Sequence, residues 1–138
     1  MSTVITDNLT GKTAAGSVTI TAGSATQSLQ QGLNKCWLNF EGDITTPAIR
    51  DSLNTSSLDD IGTGRYRVKY SNNFNAAKEY AGGGMTIRSG QSKGAFVSQD
   101  SQGNLNFATN GTSISVTRHD NTLGDADQVS MLLTGDLA

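Results

Sequence analysis

The feature that most constrains the fold of this chain is a repeated alternation of apolar and polar residues with a period of two. In Arg65–Tyr70, two tyrosines and a valine alternate with three basic residues, and Gln128–Thr134 carries an apolar residue at every second position from Val129. Successive side chains of a β-strand point to opposite faces of a sheet, so this spacing places the apolar residues on one face. The chain is therefore predicted to consist of strands that bury one face in a core.

The composition favours strands and argues against several other classes of protein. Ser, Thr, Asn and Gly make up 59 of the 138 residues, which suits turns and pleated surfaces better than helix interiors. The net charge of −2 predicts no nucleic-acid partner. No run of residues approaches the ~18 apolar residues of a membrane span, so no membrane insertion is expected. The single cysteine, Cys36, excludes an intrachain disulfide.

The hydrophobic content is low for a globular monomer. Only 35% of the residues are hydrophobic and 6% are aromatic, so the apolar surface that one copy can bury offsets little of the chain entropy. The chain is then either partly disordered or buries further surface in an oligomer. The recurring strand patterns favour the oligomer.

The chain is predicted to have two parts. Residues 1–33 are polar and punctuated by glycine, with a strand in Ser17–Thr21 and a short helix in Ser24–Leu33, and they form an extended N-terminal arm. Residues 34–138 contain a succession of short strands separated by turns, which predicts an antiparallel β-sandwich that is jelly-roll-like. The predicted fold class is therefore all-β.

No constellation of residues predicts catalysis or a metal centre. His119 and Asp120 are the only neighbouring histidine and carboxylate, no nucleophile motif accompanies them, and a turn at a hairpin tip accounts for both. The acidic residues of 120–127 lack the spacing of a calcium loop. No Lys-Ser or Lys-Thr pair follows Gly82–Gly84, so a strand bulge is favoured over a phosphate loop. We therefore expect no enzyme activity, no cofactor and no metal.

The aromatic residues divide into predicted core residues and predicted contact residues. Trp37 lies on a strand with apolar residues on both faces, which predicts a structural anchor buried in the core, as for Tyr66 and Tyr70. Three other aromatic residues lie beside polar or glycine-rich loops, where a ring can contact a sugar. These predicted binding residues are Phe74, Tyr80 and Phe96.

Two neighbouring segments carry a pattern of spaced residues. The first contains Lys35, Trp37, Asn39, Phe40 and Gly42, and the second contains Ala48-Ile49-Arg50, Ser52, Asn54, Ser56-Ser57, Asp60, Gly62-Thr63-Gly64, Tyr66 and Val68. This pattern resembles the knob or adhesion domain of tail-fibre-like virion proteins of tailed bacteriophages, many of them marine. The resemblance covers roughly residues 27–80.

The resemblance implies a phage fibre or knob protein that is homotrimeric and is assembled into the virion in the host cytoplasm. The N-terminal arm would attach it to other tail or capsid proteins, and loops of the sandwich would bind a polysaccharide, lipopolysaccharide or protein of the host surface. The predicted contact loops are 71–77, 89–94, 99–104 and 119–127. One alternative is a capsid decoration protein or a tail or neck adaptor without direct receptor binding. A capsule depolymerase is a third hypothesis, but the sequence offers no carboxylate pair for it.

Overall fold

The computed structural model describes residues 18–22, 24–87, 95–99, 107–118 and 120–138. The chain divides into two compact units, Met1–Leu33 and Asn34–Ala138. Within the described residues, no helix reaches the length and apolar character needed to cross a membrane.

The described part of the first unit is a β-hairpin followed by one helical turn. Strand β1 (Thr19–Ala22) pairs antiparallel with β2 (Ala25–Ser28), and helix α1 spans Leu29–Gly32. The Leu29 amide donates a hydrogen bond to the Val18 carbonyl at 2.9 Å, which ties the helical turn back to the hairpin. The predicted helix over residues 24–33 is therefore confirmed only in its second half. A two-stranded hairpin of this size is marginally stable alone in water, so the hairpin needs contacts beyond its own two strands.

The described residues of the second unit form eight strands. The strands are β3 (Cys36–Glu41), β4 (Ala48–Leu53), β5 (Thr55–Gly62), β6 (Arg65–Tyr70), β7 (Ala81–Ile87), β8 (Ala95–Gln99), β9 (Gly111–Arg118) and β10 (Gln128–Thr134). The two alternating segments identified in the sequence are strands over the whole of their predicted length.

The eight strands form two four-stranded antiparallel sheets. One sheet has the order β4-β3-β10-β7 and is named here the Trp37 sheet, and the other has the order β5-β6-β9-β8 and is named the Tyr66 sheet. The pairs β3-β4, β5-β6 and β8-β9 stay within one sheet, whereas the other connections cross between the sheets. The prediction of an all-β, antiparallel sandwich is confirmed.

The core lies between the two sheets and is built from the alternating apolar positions. Phe40 of the Trp37 sheet meets Tyr66 of the Tyr66 sheet edge to face, with ring centroids 4.8 Å apart. The buried residues form one cluster: Cys36, Leu38, Phe40, Tyr66, Val68, Tyr70, Phe74, Tyr80, Ile114, Val116, Ala126, Val129, Met131 and Leu133. Burial raises the pKa of the Cys36 thiol to about 11, so this side chain behaves as a packed apolar group. The predictions of Tyr66 and Tyr70 as core residues are confirmed.

The predicted core position of Trp37 is wrong. Trp37 is half-buried and lies on the outer face of its sheet, because Cys36 and Leu38 occupy the inner face of β3. Its cross-strand neighbours are Leu53 on β4 and Leu132 on β10, and both are substantially exposed. The apolar residues on both faces of β3 therefore reflect a core on one side and an apolar outer surface on the other.

Candidate interaction surface

Phe74 and Tyr80, predicted as contact residues on loops, are both buried in the core, so the assignment of their side chains to a binding surface is wrong. Their rings stack on each other with centroids 4.4 Å apart, and Tyr70 meets Phe74 edge to face at 5.1 Å. The Tyr80 hydroxyl donates a hydrogen bond to the Ala108 carbonyl at 3.2 Å. Burial is the main cause that raises the pKa of Tyr80. These rings close one end of the sandwich, where no sugar can reach them.

The loop 71–77 that carries Phe74 is tied to distant parts of the chain. The Phe74 amide donates to the Thr109 carbonyl at 2.8 Å, and the Asn75 amide donates to the Asp136 carbonyl at 2.8 Å. Phe74 also forms an isolated β-bridge with Leu137. We name this region the closed end, formed by residues 71–80, 107–110 and 135–138. Its backbone bonds leave little freedom for adapting to a ligand.

The remaining predicted contact segments fall largely outside the described residues. Phe96 belongs to β8 and is opposite Thr117 in the sheet, but its side chain, loop 89–94 and residues 100–104 lie outside the described part. His119 also lies outside it. The Asp120 carboxylate accepts hydrogen bonds from the Thr122 amide at 3.0 Å and from the Thr122 hydroxyl at 2.6 Å. Asp120 therefore caps a turn, which agrees with the prediction of a turn at this position.

Three residues of the spaced sequence pattern, Gly42, Gly64 and Tyr66, meet at the opposite end of the sandwich. The Tyr66 hydroxyl donates a hydrogen bond to the Gly42 carbonyl at 2.7 Å and lies 3.1 Å from Asp125 Oδ1. The Gly64 amide donates to the same Asp125 oxygen at 2.6 Å. These bonds join the β3-β4 turn, the β5-β6 turn and the β9-β10 connection. Burial, with the nearby Asp125 charge as the next cause, raises the pKa of Tyr66, so its hydroxyl keeps its proton.

Two glycines of the pattern are required by close approaches at this junction. A Cβ atom on Gly42 would lie 2.5 Å from the Tyr66 hydroxyl oxygen. Gly64 has φ +64°, and a Cβ there would lie 2.5 Å from the backbone nitrogen of Gly124. Position 64 requires a left-handed backbone conformation and leaves no space for a Cβ atom, and only glycine satisfies both requirements. The spacing of Gly42, Gly64 and Tyr66 therefore specifies how the two sheets are joined.

The same end carries a concentration of carboxylates. We name it the acidic end, formed by turns 42–47 and 62–64 and the connection 120–127. A hydrogen bond with the Asp127 carboxyl is the largest cause that raises the pKa of Asp43 above its ordinary value, and the charges of Asp127 and Glu41 add to it. Across the described ranges, no group of three metal-binding side chains is placed to hold an ion. The surface that the described residues offer to a ligand at this end therefore consists of exposed turns.

The Asp43–Asp127 pair predicts a pH-dependent gain in stability for Asp43→Asn. Because the folded state raises the pKa of Asp43, folding favours the protonated carboxyl, and this contribution is lost as the pH rises through the raised pKa. We expect Asp43→Asn to melt at a higher temperature than the parent chain at pH 7 and at a similar temperature near pH 3. Thermal unfolding of both chains across this range checks the prediction. Glu79→Gln, at the closed end, is the control, because it also removes one negative charge. An equal rise in melting temperature for both substitutions at pH 7 would contradict the account.

Comparison with known proteins gave no relative for this arrangement. No family model, no curated protein and no solved structure matched the chain.

Proposed function

We propose that the chain is a bacteriophage virion structural protein of the tail-fibre or knob type that contributes to attachment at the host surface. The single observation behind the proposal is that the spaced residues resembling such proteins meet at one junction of a β-sandwich. Gly42, Gly64 and Tyr66 hold the turns of the acidic end together. A rigid sandwich that presents short turns is a suitable scaffold for binding, since its loops can differ in sequence without altering the core.

In this proposal the two ends of the sandwich have different tasks. Strand β3 begins at the closed end, because the Lys35 amide donates a hydrogen bond to the Leu133 carbonyl at 2.9 Å, beside the start of that strand. The contact with the host is assigned to the acidic end, whose turns are exposed. The anchor is the first unit, attached to tail or capsid proteins, and copies of the chain associate as a homotrimer in the virion.

The ligand that suits the acidic end is a hydroxyl-rich surface such as a polysaccharide. The exposed turn residues there include Asp43, Thr45, Thr63 and Asp120, which offer carboxylates and hydroxyls as hydrogen-bonding groups. The buried aromatic rings of the closed end take no part. Contacts spread over several turns distribute the binding energy, so single losses weaken binding without abolishing it.

A second candidate is favoured by the burial of Phe74 and Tyr80. With these two rings in the core, the described residues lose two of the three aromatic contacts predicted for sugar binding. A capsid decoration protein or a tail or neck adaptor needs no receptor contact, and an apolar sheet face would serve its assembly. This candidate keeps the virion location and omits host binding.

Competition with phage adsorption separates the two candidates. We expect an excess of the purified full chain to reduce adsorption of the phage to its host. A Thr45→Arg/Thr63→Arg variant should lose this inhibition, because both long side chains obstruct the acidic end. Asn73→Arg, an exposed position at the closed end, is the matched control and should inhibit like the parent chain. No inhibition by the saturating parent chain would overturn the attachment role and favour the decoration or adaptor role.

A further inference from the structure

The outer face of the Trp37 sheet carries a row of apolar residues that crosses all four strands. Leu53 of β4 is opposite Trp37 of β3, which is opposite Leu132 of β10, and Leu132 is opposite Gly83 of β7. Directly opposed residues of antiparallel strands project from the same face with their Cβ atoms about 5 Å apart. The row therefore runs without a break from Leu53 on the edge strand β4 to Gly83 on the edge strand β7.

Strand β7 extends this row along the edge of the sheet. Met85 and Ile87 project from the same outer face, and they are 75% and 59% exposed, while Leu53 is 46% and Leu132 is 43% exposed. Together these four residues form an apolar patch on the order of 400 Å², within the roughly 300–600 Å² of the largest patch on a typical monomer, which is often functional. A standard interface buries about 800 Å² per partner, of which about 56–65% is apolar. With the half-buried Trp37, this patch supplies much of the apolar part of one side of such an interface.

The part of the outer face beside this patch is polar and carries charges of both signs. Asn39 donates a hydrogen bond to the Ser130 hydroxyl at 2.8 Å, and Arg50 forms an ion pair with Glu41 at 3.4 Å. Asn39 and Ser130 lie on the two central strands, so the apolar patch is a row and an edge beside a polar area of the same face. A polar area with charges of both signs can face another copy of the chain without uniform repulsion.

The edge next to this patch is formed by β7, which lies close to β8, the end strand of the Tyr66 sheet. Among the described strands, β7 is at the end of its sheet, and its sequence from Ala81 to Ile87 contains neither a charge nor a proline. Gly83 leaves open space around the position of its missing Cβ. Because β8 lies beside this edge, the outer face and not the edge is the surface available to another polypeptide.

We propose that a second copy of this chain covers the outer face formed by Leu53, Trp37, Leu132, Met85 and Ile87. The inference rests on the homo-oligomer of the proposed function and not on host binding. Its support is the size and continuity of the apolar patch, and the mixed charges of the polar area beside it. The low hydrophobic content of the chain agrees, because the core of one copy leaves this apolar surface in water. Around the axis of the oligomer, Trp37 then becomes fully buried.

Sedimentation velocity of the full chain at micromolar concentration tests this surface. We expect the parent chain to be a homotrimer and Leu132→Lys and Met85→Lys to be mainly monomeric, with affinity reduced at least tenfold, while circular dichroism shows retained strands. Ile44→Lys is the matched control, because Ile44 is 42% exposed and lies in a turn outside this face. It should remain a homotrimer. If both face variants stay assembled like the control, the assignment of this face is overturned while the homo-oligomer stands.

Cross-linking keeps the inference testable if the lysine variants do not fold. Met85→Cys should give disulfide-linked dimers between copies under mild oxidation, whereas Cys36 is buried and Ile44→Cys should give none. Equal cross-linking of Met85→Cys and Ile44→Cys would overturn the assignment. A monomeric parent chain would overturn both this inference and the homo-oligomer, because the face would then be covered by another segment or partner. Neither result would bear on whether the chain is part of the virion.

Discussion

Phe74→Ala is expected to lower the free energy of unfolding by roughly 3–5 kcal/mol, the range for removing a buried phenylalanine ring. The ring stacks on Tyr80 and contacts Tyr70, so its loss leaves a cavity among aromatic side chains that cannot close over it. For a domain of this size such a loss removes a large share of the total stability. Urea unfolding followed by circular dichroism measures the effect.

Phe74→Leu is the matched control for this substitution. Leucine keeps most of the buried volume, so it should cost less than about 1.5 kcal/mol. A loss of host adsorption by Phe74→Ala with nearly unchanged stability would reverse the assignment and restore Phe74 as a contact residue. Equal costs for leucine and alanine would show that the ring shape, and not the cavity, determines stability at the closed end.

Gly64→Ala is expected to be the second large effect, with a loss of about 3 kcal/mol in the free energy of unfolding. Position 64 combines φ +64° with a Cβ that would lie 2.5 Å from the Gly124 nitrogen and 2.9 Å from the Val116 carbonyl oxygen. Both neighbours are backbone atoms of other segments, so no side chain can rotate away. The substitution should also weaken the hydrogen bond from the Gly64 amide to Asp125.

Gly62→Ala separates the two causes of the Gly64 effect. Gly62 has φ +140°, but no atom lies within 4 Å of the position of its missing Cβ. Its replacement should therefore cost only the backbone strain, about 1–2 kcal/mol. If Gly62→Ala costs as much as Gly64→Ala, the close approach of the β5-β6 turn to Gly124 contributes nothing, and the joining of the sheets at this point is wrong.

The strands could be predicted from the sequence because alternation is a local property. Every second side chain is buried in the core in both Arg65–Tyr70 and Gln128–Thr134. A shift of one residue in strand register would expose all of these buried side chains. The predicted helix over 24–33 was only partly right, because Thr26 and Gln27 belong to strand β2 and the helix is a single turn. Short segments of mixed propensity are decided by pairing with a neighbour, which a local pattern does not contain.

The positions of the aromatic side chains could not be predicted in the same way. Phe74 lies in an Asn-rich loop, which suggests exposure, but Leu137 and Thr109 bring distant parts of the chain over it. Trp37 has apolar neighbours along the chain, yet its environment is set by Leu53 and Leu132 on adjacent strands. Sequence neighbours give the face of a strand, whereas burial depends on which strands and loops cover that face.

Three residues of the acidic end stand in the spaced sequence pattern, but their meeting could not be predicted from it. Gly42, Gly64 and Tyr66 appear in the sequence pattern, and the structure shows that their contacts with one another and with Asp125 join three connections. The carboxylate pair of Asp43 and Asp127 could not be found, because 84 positions separate the two residues in the sequence and only the fold brings them together. The apolar row on the outer face could not be found from the sequence either, because strand register brings its residues together.

The central claim is that this chain is a structural component of a phage particle, and its location on purified virions tests that claim most directly. Mass spectrometry of the purified particles should detect the chain, and cryo-electron microscopy should show a β-sandwich that projects from the tail or its fibres, with copies in contact through the outer face of the Trp37 sheet. A location on the capsid shell would support the decoration role. Absence of the chain from infectious particles would contradict the account.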